Sequence, residues 1–300
     1  MQARKTMGRA PEFAKACKVD ANCHQSGAWE MKGNKAMWTM RIKSPGAKSL
    51  NFGFTDFYLP PSAEFYMTGV SSGQRRGPFV SADNDPHDQF WSPIIEDEEV
   101  LLELEVDLNM KDHVRLHLAK VNHGFYKFGS SSLSGSCNLD VVCSTVDGWG
   151  ISDNYRDIIR SVVMYSLNGF QACTGMLINN IRENGTPYII TADHCNVSAT
   201  NASTLVAYYN FENSTCRQPN SSASAQPGDG ALSTFNTGAT YISATAVGAG
   251  TDFNLLQLDD PINPNANAFI SGWSRENVAP SSAIAIHHPR TQEKRISYED

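Results

Sequence analysis

His194 ends the run Tyr188-Ile189-Ile190-Thr191-Ala192-Asp193-His194 and is followed at once by Cys195. An imidazole that takes and returns protons must be held rigidly, and a β-rich run that ends at the histidine supplies such a support. Cys173 opens the preceding apolar run, Cys173-Thr174-Gly175-Met176-Leu177-Ile178, and could be tied to Cys195 from a neighbouring strand. A general base also needs a carboxylate on its other ring nitrogen, to fix the tautomer and stabilise the imidazolium. Asp252, at the head of Asp252-Phe253-Asn254-Leu255-Leu256-Gln257-Leu258, is the candidate. Asp259 and Asp260, before Pro261, read instead as solvated acids at a strand exit.

These strings resemble two segments of the trypsin-like serine proteases. Thr191, Ala192, Asp193, His194 and Cys195 match the pattern Thr-Ala-x-His-Cys, and Asp252 to Leu258 is similar to the strand that carries the orienting aspartate. The likeness narrows to bacterial lysyl endopeptidase precursors through SGSCNLDVVC (Ser134 to Cys143), RDIIRSV (Arg156 to Val162), YYNFENSTCR (Tyr208 to Arg217) and IAIHHPRTQEKRIS (Ile284 to Ser297).

That resemblance implies a chymotrypsin-like double β-barrel that hydrolyses peptide bonds after lysine or another basic residue. His194 would act as general base and Asp252 would orient it. It also implies the disulfides Cys173–Cys195 and Cys143–Cys216, with the partner of Cys137 in a downstream segment. The Gly-x-Ser-Gly loop that would present the nucleophile does not occur in the 300 residues. The serine and the lysine-binding acid are therefore expected beyond Asp300, the second barrel is expected to be incomplete, and this chain alone is expected to aggregate or be inactive. Asp193 departs from the small residue many relatives carry there, and strand alternation would turn it to solvent.

Other clusters read as structural. His287 and His288 are adjacent on a strand and would face opposite ways, so a structural or subsite role is expected rather than a shared metal. His113 and His117 alternate with Val114, Leu116 and Leu118; four strand residues span ~13 Å, too far to share a zinc ion. Asp83, Asn84, Asp85 and Asp88 carry calcium-type oxygens but lack an EF-hand glutamate, and Pro86 suggests a plain turn. No HExxH string is present, and no cofactor or metal is expected.

The elements that must position these residues are strands. From Trp38 to Val121 apolar and charged residues alternate, as in Leu102-Glu103-Leu104-Glu105-Val106, with turns at Ser44-Pro45-Gly46, Pro60-Pro61 and Asp83 to Pro86. The predicted organisation is all-β: an N-terminal segment (1–37), an antiparallel β-sandwich pro-region (38–122), an exposed linker (123–135) and a trypsin-like protease domain (136–300). The only helix pattern is a short one at Tyr155–Arg160. Lys127, the last lysine before the mature-like start, is the expected site of pro-region removal.

The formal charge is −7, and the acidic excess lies entirely after Ser136, so no basic surface points to nucleic acid. Seven cysteines without CxxC spacing favour disulfides and an oxidising, extracellular compartment, and their odd number leaves at least one without a partner here. MQARKTMGRAPEFAK carries positive charge with no apolar stretch after it, so the natural N-terminus is expected upstream. The expected partners are polypeptide substrates and the chain's own pro-region, with no nucleic acid, no membrane and a monomeric state. The alternative is a secreted, non-catalytic protease homologue acting in binding or adhesion.

Overall fold

The computed structural model describes residues 10–129, 135–246 and 251–299. Its elements are almost all antiparallel strands. In β3 (Lys35–Lys43) Ala36, Trp38 and Ile42 point inward, while Lys35, Arg41 and Lys43 point to solvent. β3 pairs with β8 (Glu99–Asp107) in a register that sets Trp38 opposite Leu104 and Lys43 opposite Glu99. The outward residues form ion pairs, Lys35–Asp107 at 3.0 Å and Lys43–Glu99 at 3.1 Å. Such exposed pairs contribute little to stability but match the register that the apolar face demands.

β2 (Ala28–Lys32), β3, β8, β5 (Glu64–Gly69) and β6 (Arg75–Phe79) form one sheet of the first unit, in that order. β1 (Ala14–Asn22), β9 (Arg115–Gly124), β4 (Ser49–Tyr58) and β7 (Phe90–Trp91) form the other. The two share one core in which Trp38, Phe65 and Leu104 meet Phe52, Phe54 and Leu116, which makes the unit a sandwich. Two of its strands, β1 and β2, lie before Trp38, in the stretch read from sequence as an N-terminal segment. His123 and Gly124, read as linker, belong to β9, and Phe128 is buried between the rings of Phe13 and Phe211. Its apolar ring draws Phe128 off the surface, while Phe125, Tyr126 and Lys127 before it stay exposed. Residues 130–134, the rest of that linker and the start of the SGSCNLDVVC string, lie outside the described residues.

The second unit carries a seven-membered sheet in the order β15 (Phe235–Thr237), β14 (Val206–Tyr208), β11 (Val162–Leu167), β12 (Gln171–Ile178), β13 (Tyr188–Thr191), β17 (Phe253–Leu258), β16 (Ala239–Thr245). Its two edges, β15 and β16, are one continuous stretch bent at Gly238, whose φ of +75° suits glycine. That single stretch pairs with β14 at one end and β17 at the other, so the sheet closes into a barrel around Tyr165, Leu177, Ile189, Leu205 and Leu256. A second, three-stranded sheet of β10 (Leu139–Asp140), β19 (Arg295–Glu299) and β18 (Ala283–His287) begins another layer. The architecture is thus the all-β sandwich followed by a chymotrypsin-like barrel pair, the second barrel being represented by three strands. The short helix pattern at Tyr155–Arg160 appears as α1 (Arg156–Ile159).

Beneath the three-stranded sheet lies a buried ionic cluster. Arg217 meets Asp140 at 2.9 Å and Glu293 at 3.2 Å, and Arg295 meets Asp140 at 2.6 Å. Lys294 donates to Glu212 and to the Ile159 carbonyl, each at 2.8 Å. Buried charge is tolerated only when compensated, and each of these carries an opposite partner. The Cys143–Cys216 disulfide ties the same loops, anchoring the long segment between β14 and β15.

The units share a third core. Phe13, Trp91 and Ile94 of the sandwich pack with Met164, Val206, Tyr208, Phe211 and Leu232 of the barrel unit, and Phe128 completes it. Ile94 N–H donates to Tyr208 Oη at 2.9 Å and Asn51 Nδ2 to the Gly169 carbonyl at 2.9 Å. A Cβ at position 169 would stand 2.1 Å from Asn122 Nδ2, so this close approach requires glycine.

At the rim of that contact Asp85 and His87 of the sandwich meet Asp259 of the barrel unit, with His87 Nε2 donating to Asp259 Oδ2 at 3.3 Å. Loss of hydration, added to the charges of Asp259, Asp260 and Asp83 and only partly offset by His87, pushes the Asp85 carboxyl up to about 6. A carboxyl raised in this way supports the fold fully below its ordinary value of 3.8, and that support is lost as pH rises through about 6. Above that range the ionised group opposes folding, by an amount on the order of 1 kcal/mol once screening by water at a half-buried carboxylate is allowed for. Asp85→Asn should therefore raise the melting temperature at pH 8 by about 2 °C and leave it unchanged near pH 3.5. A calorimetric scan showing no rise at pH 8 would contradict the origin assigned to the shift.

Candidate active site

β13 lies between β12 and β17, and its register with β17 sets Thr191 opposite Asn254. The end of β13 and the start of β17 therefore stand side by side. Three residues past Thr191 comes His194, and two before Asn254 comes Asp252, so pairing alone delivers both to the same edge of the barrel. His194 lies in a 3-10 turn, Asp193–Cys195, rather than on the strand itself. Asp252 has a left-handed backbone, φ 43°, which aspartate tolerates better than most residues. Its backbone turns there into β17.

The side chains meet closely. His194 Nδ1 donates to Asp252 Oδ2 at 2.6 Å, and the His194 backbone N–H donates to Oδ1 at 2.9 Å. An ionised carboxylate only accepts, so Nδ1 carries the ring proton and Nε2 presents its lone pair away from Asp252. Burial works to raise the Asp252 carboxyl, but hydrogen bonds from the His194 ring, its N–H and the Asp193 N–H outweigh it. The carboxyl consequently sits below its ordinary 3.8 and remains charged throughout the neutral range. Both side chains are about one-third exposed, at 34% and 32%, so the pair is open to a third reacting group.

Several contacts hold the turn. The Cys173–Cys195 disulfide links the start of β12 to the residue after the imidazole. Thr191 Oγ1 donates to the Thr174 carbonyl at 2.8 Å and lies 3.0 Å from Tyr165 Oη, which pins the end of β13. Asn254, fully buried, donates from Nδ2 to the Val197 carbonyl at 2.8 Å and so anchors the chain beyond the turn. Asn254 has no catalytic residue type and carries no sequence signal beyond its place in the Asp252 strand.

The other sequence candidates fall elsewhere. His287 ends β18 and His288 follows it. His288 donates from Nδ1 to the Gln292 carbonyl at 2.9 Å, its N–H donates to Thr174 Oγ1 at 3.0 Å, and burial pushes its ring down to about 3, so it stays neutral. His113 ends a 3-10 turn instead of lying on a strand, and His117 on β9 pairs with Asp20 at 2.8 Å. Asp193, expected to face solvent from a strand, opens the 3-10 turn and is partly buried. Asp83 caps Val80 N–H, Asn84 accepts from Leu59 N–H, Asp88 pairs with Arg115, and Asp85 faces His87, so the oxygens of the expected turn meet separate partners. Lys127 is exposed on the flank of the shared core, next to buried Phe128. Cys17, Cys23 and Cys137 form no disulfide.

Among the described residues two triplets bring possible ligand atoms within 4.8 Å of one another. In Cys173, His194 and Cys195 the sulfurs are joined as a disulfide and offer no thiolate. In Asp85, His87 and Asp259, His87 Nδ1 accepts the Gln89 N–H at 3.1 Å, so a neutral ring keeps its proton on Nε2 and has no free lone pair there. Sequence reading missed the meeting of His87 with Asp259, because nothing local marks a contact between residues so far apart in the chain.

A family model described as the lysyl endopeptidase C-terminal domain matches residues 131–300. The lysyl endopeptidase of Pseudomonas aeruginosa is 30% identical over 222 residues, which covers 69% of this chain and 45% of that protein. The chain thus spans less than half the length of this curated relative. His194, Asp252 and both disulfides lie inside the matched region.

In a carboxyl-resolved NMR titration, Asp252 should titrate below 3.8, and the His194–Asp252 pair should be lost as pH falls through that lowered value. His194→Ala should move the Asp252 titration back upward. A position unchanged by that substitution would show that the hydrogen bond is not what holds the carboxyl low.

Proposed function

The chain belongs to the lysyl endopeptidase family, and from that premise we propose that it is the pro-region and part of the catalytic domain of a secreted serine endopeptidase that cleaves after lysine or another basic residue. The observation that carries the reading is the 2.6 Å contact of His194 Nδ1 with Asp252 Oδ2, which leaves Nε2 as a free base at an open barrel edge. A serine hydroxyl brought to Nε2 would lose its proton to the ring as it attacks the peptide carbonyl. His194 then returns that proton to the leaving amine, and charged Asp252 stabilises the imidazolium between the two transfers. The serine itself comes from outside these 300 residues, on a Gly-x-Ser-Gly loop whose backbone N–H groups would stabilise the oxyanion.

Two disulfides support an oxidising, extracellular location, and among the described residues no helix is long and apolar enough to cross a membrane. The sandwich, as far as about Lys127, is the pro-region in this reading, and the enzyme's own preference for lysine would suit removal at that residue. Since Phe128 is buried between Phe13 and Phe211, cleavage there requires the linker to leave the shared core first.

In the complete protein, His194→Ala should lower kcat by at least about 10⁴-fold with little change in KM; retention of most activity would refute the assignment. Lys127→Ala should abolish maturation at the 127–128 bond, read as an N-terminal sequence of the processed product. Processing at an unchanged position would exclude Lys127 as the determinant.

A further inference from the structure

The rim of the shared core joins the two units through ionisable groups. Asp85 and His87 lie in the sandwich between β6 and β7, and Asp259 and Asp260 follow β17 of the barrel unit directly. His87 Nε2 stands 3.3 Å from Asp259 Oδ2 and 3.6 Å from Asp85 Oδ2, so one imidazole is clasped between a carboxyl group of each unit. Both carboxyl groups converge on the bend that closes the barrel: a Cβ at Gly238 would meet Asp259 Oδ2 at 2.6 Å and Asp85 Oδ2 at 3.3 Å. Thr240 Oγ1 donates to Asp259 Oδ1 at 2.8 Å and holds that acid in place.

The surroundings supply more acid than base. A cleft of about 320 Å³ between the units is lined by Phe79 and Asp83 of the sandwich and by Phe235 and Asp260 of the barrel unit. Asp88 also acts on the His87 ring, but it is itself paired with Arg115 at 2.7 Å. Among the described residues no lysine or arginine forms an ion pair with Asp83, Asp85, Asp259 or Asp260. The cationic partner open to Asp85 and Asp259 is therefore His87, a side chain of the type whose charge changes between about pH 5 and 8. Lost hydration carries Asp85 up to about 6, and the hydrogen bond to Asp259 holds the His87 ring above its ordinary 6.5. Burial also raises the carboxyls of Asp83 and Asp260. All four groups hold a proton more tightly here than in water, so the contact is strongest in acid and weakens as pH rises through about 6 and then through the raised value of His87.

We propose that Asp85, His87 and Asp259 form a proton-operated latch that keeps the sandwich seated on the barrel unit in acid and loosens it as the medium becomes neutral to alkaline. The functional sense of the latch rests on reading the sandwich as a pro-region: after a cut in the linker, the barrel unit would be freed only where protons are scarce. The apolar core supplies adhesion that does not titrate. The latch adjusts that adhesion, because its two acids belong to opposite units and repel each other once the ring between them is neutral.

Amide hydrogen exchange on the 300-residue chain tests the latch without any turnover, so its outcome is separate from whether the complete protein hydrolyses anything. The Ile94 amide, bonded to Tyr208 Oη across the junction, reports docking. The Cys23 amide, bonded to the Leu116 carbonyl, and the Leu177 amide, bonded to the Ser161 carbonyl, report the interiors of the sandwich and the barrel unit. Rates are expressed as protection factors, which remove the chemical effect of pH on exchange. Between pH 5 and pH 8 the Ile94 factor should fall at least about fivefold, with those of Cys23 and Leu177 unchanged. Asp85→Asn and, from the other side of the junction, Asp259→Asn should each reduce that fall to below about twofold. If one variant does not fold, the other decides. A wild-type fall that is absent, that Cys23 and Leu177 share equally, or that persists in full in a folded variant would overturn the latch.

Discussion

The register of two neighbouring strands decides where His194 and Asp252 stand. With Thr191 of β13 opposite Asn254 of β17, a histidine three residues beyond one strand and an aspartate two residues before the other must meet. A slip of one residue would turn every side chain of β17 to the other face and separate the pair. The barrel core guards against that slip, because Ile189, Leu256 and Leu258 point inward only in the observed register. The 2.6 Å hydrogen bond is thus the outcome of packing many residues away from it. Local ties refine the result: the Cys173–Cys195 disulfide and the Thr191 hydroxyl fix the turn that carries the ring.

The sandwich and the barrel unit behave as partners rather than as beads on a string. Their shared core is built of aromatic and aliphatic side chains, and each such large side chain removed from water contributes about 1.5–3 kcal/mol. Specific polar contacts cross it, as in Asn51 to the Gly169 carbonyl and Ile94 N–H to Tyr208 Oη. The rim is different: there Asp85, Asp259 and Asp260 crowd together around a single histidine, and burial pushes the Asp85 carboxyl up. An interface with an apolar centre and like charges at its edge holds firmly yet responds to proton concentration.

Much of the site was legible in sequence because its strings are local. Thr191 to Cys195 and Asp252 to Leu258 each fit within a single turn or strand, and period-two alternation marked β3, β8 and β9 well enough to give the fold class. β1 and β2 were not legible: β1 buries only Ala14 and β2 buries no residue fully, so neither shows an inward face to read. β14 and β15 are three residues each, too short for periodicity. The 3-10 turn at His194 was hidden because the apolar run before it reads as strand to its end. The Ser and Gly residues that follow Phe128 give its surroundings the look of an exposed linker, whereas its ring finds Phe13 and Phe211, and that meeting has no local trace.

The central claim is that His194 activates a serine hydroxyl supplied by another stretch of the same polypeptide. A fluorophosphonate probe, which reacts only with an activated serine, tests it directly on the complete protein, with the labelled peptide identified by mass spectrometry. The account predicts a single label on a serine of a Gly-x-Ser-Gly loop in the wild-type protein and none in the His194→Ala variant. Labelling that survives loss of the imidazole, or a complete wild-type protein that takes up no label, would contradict it.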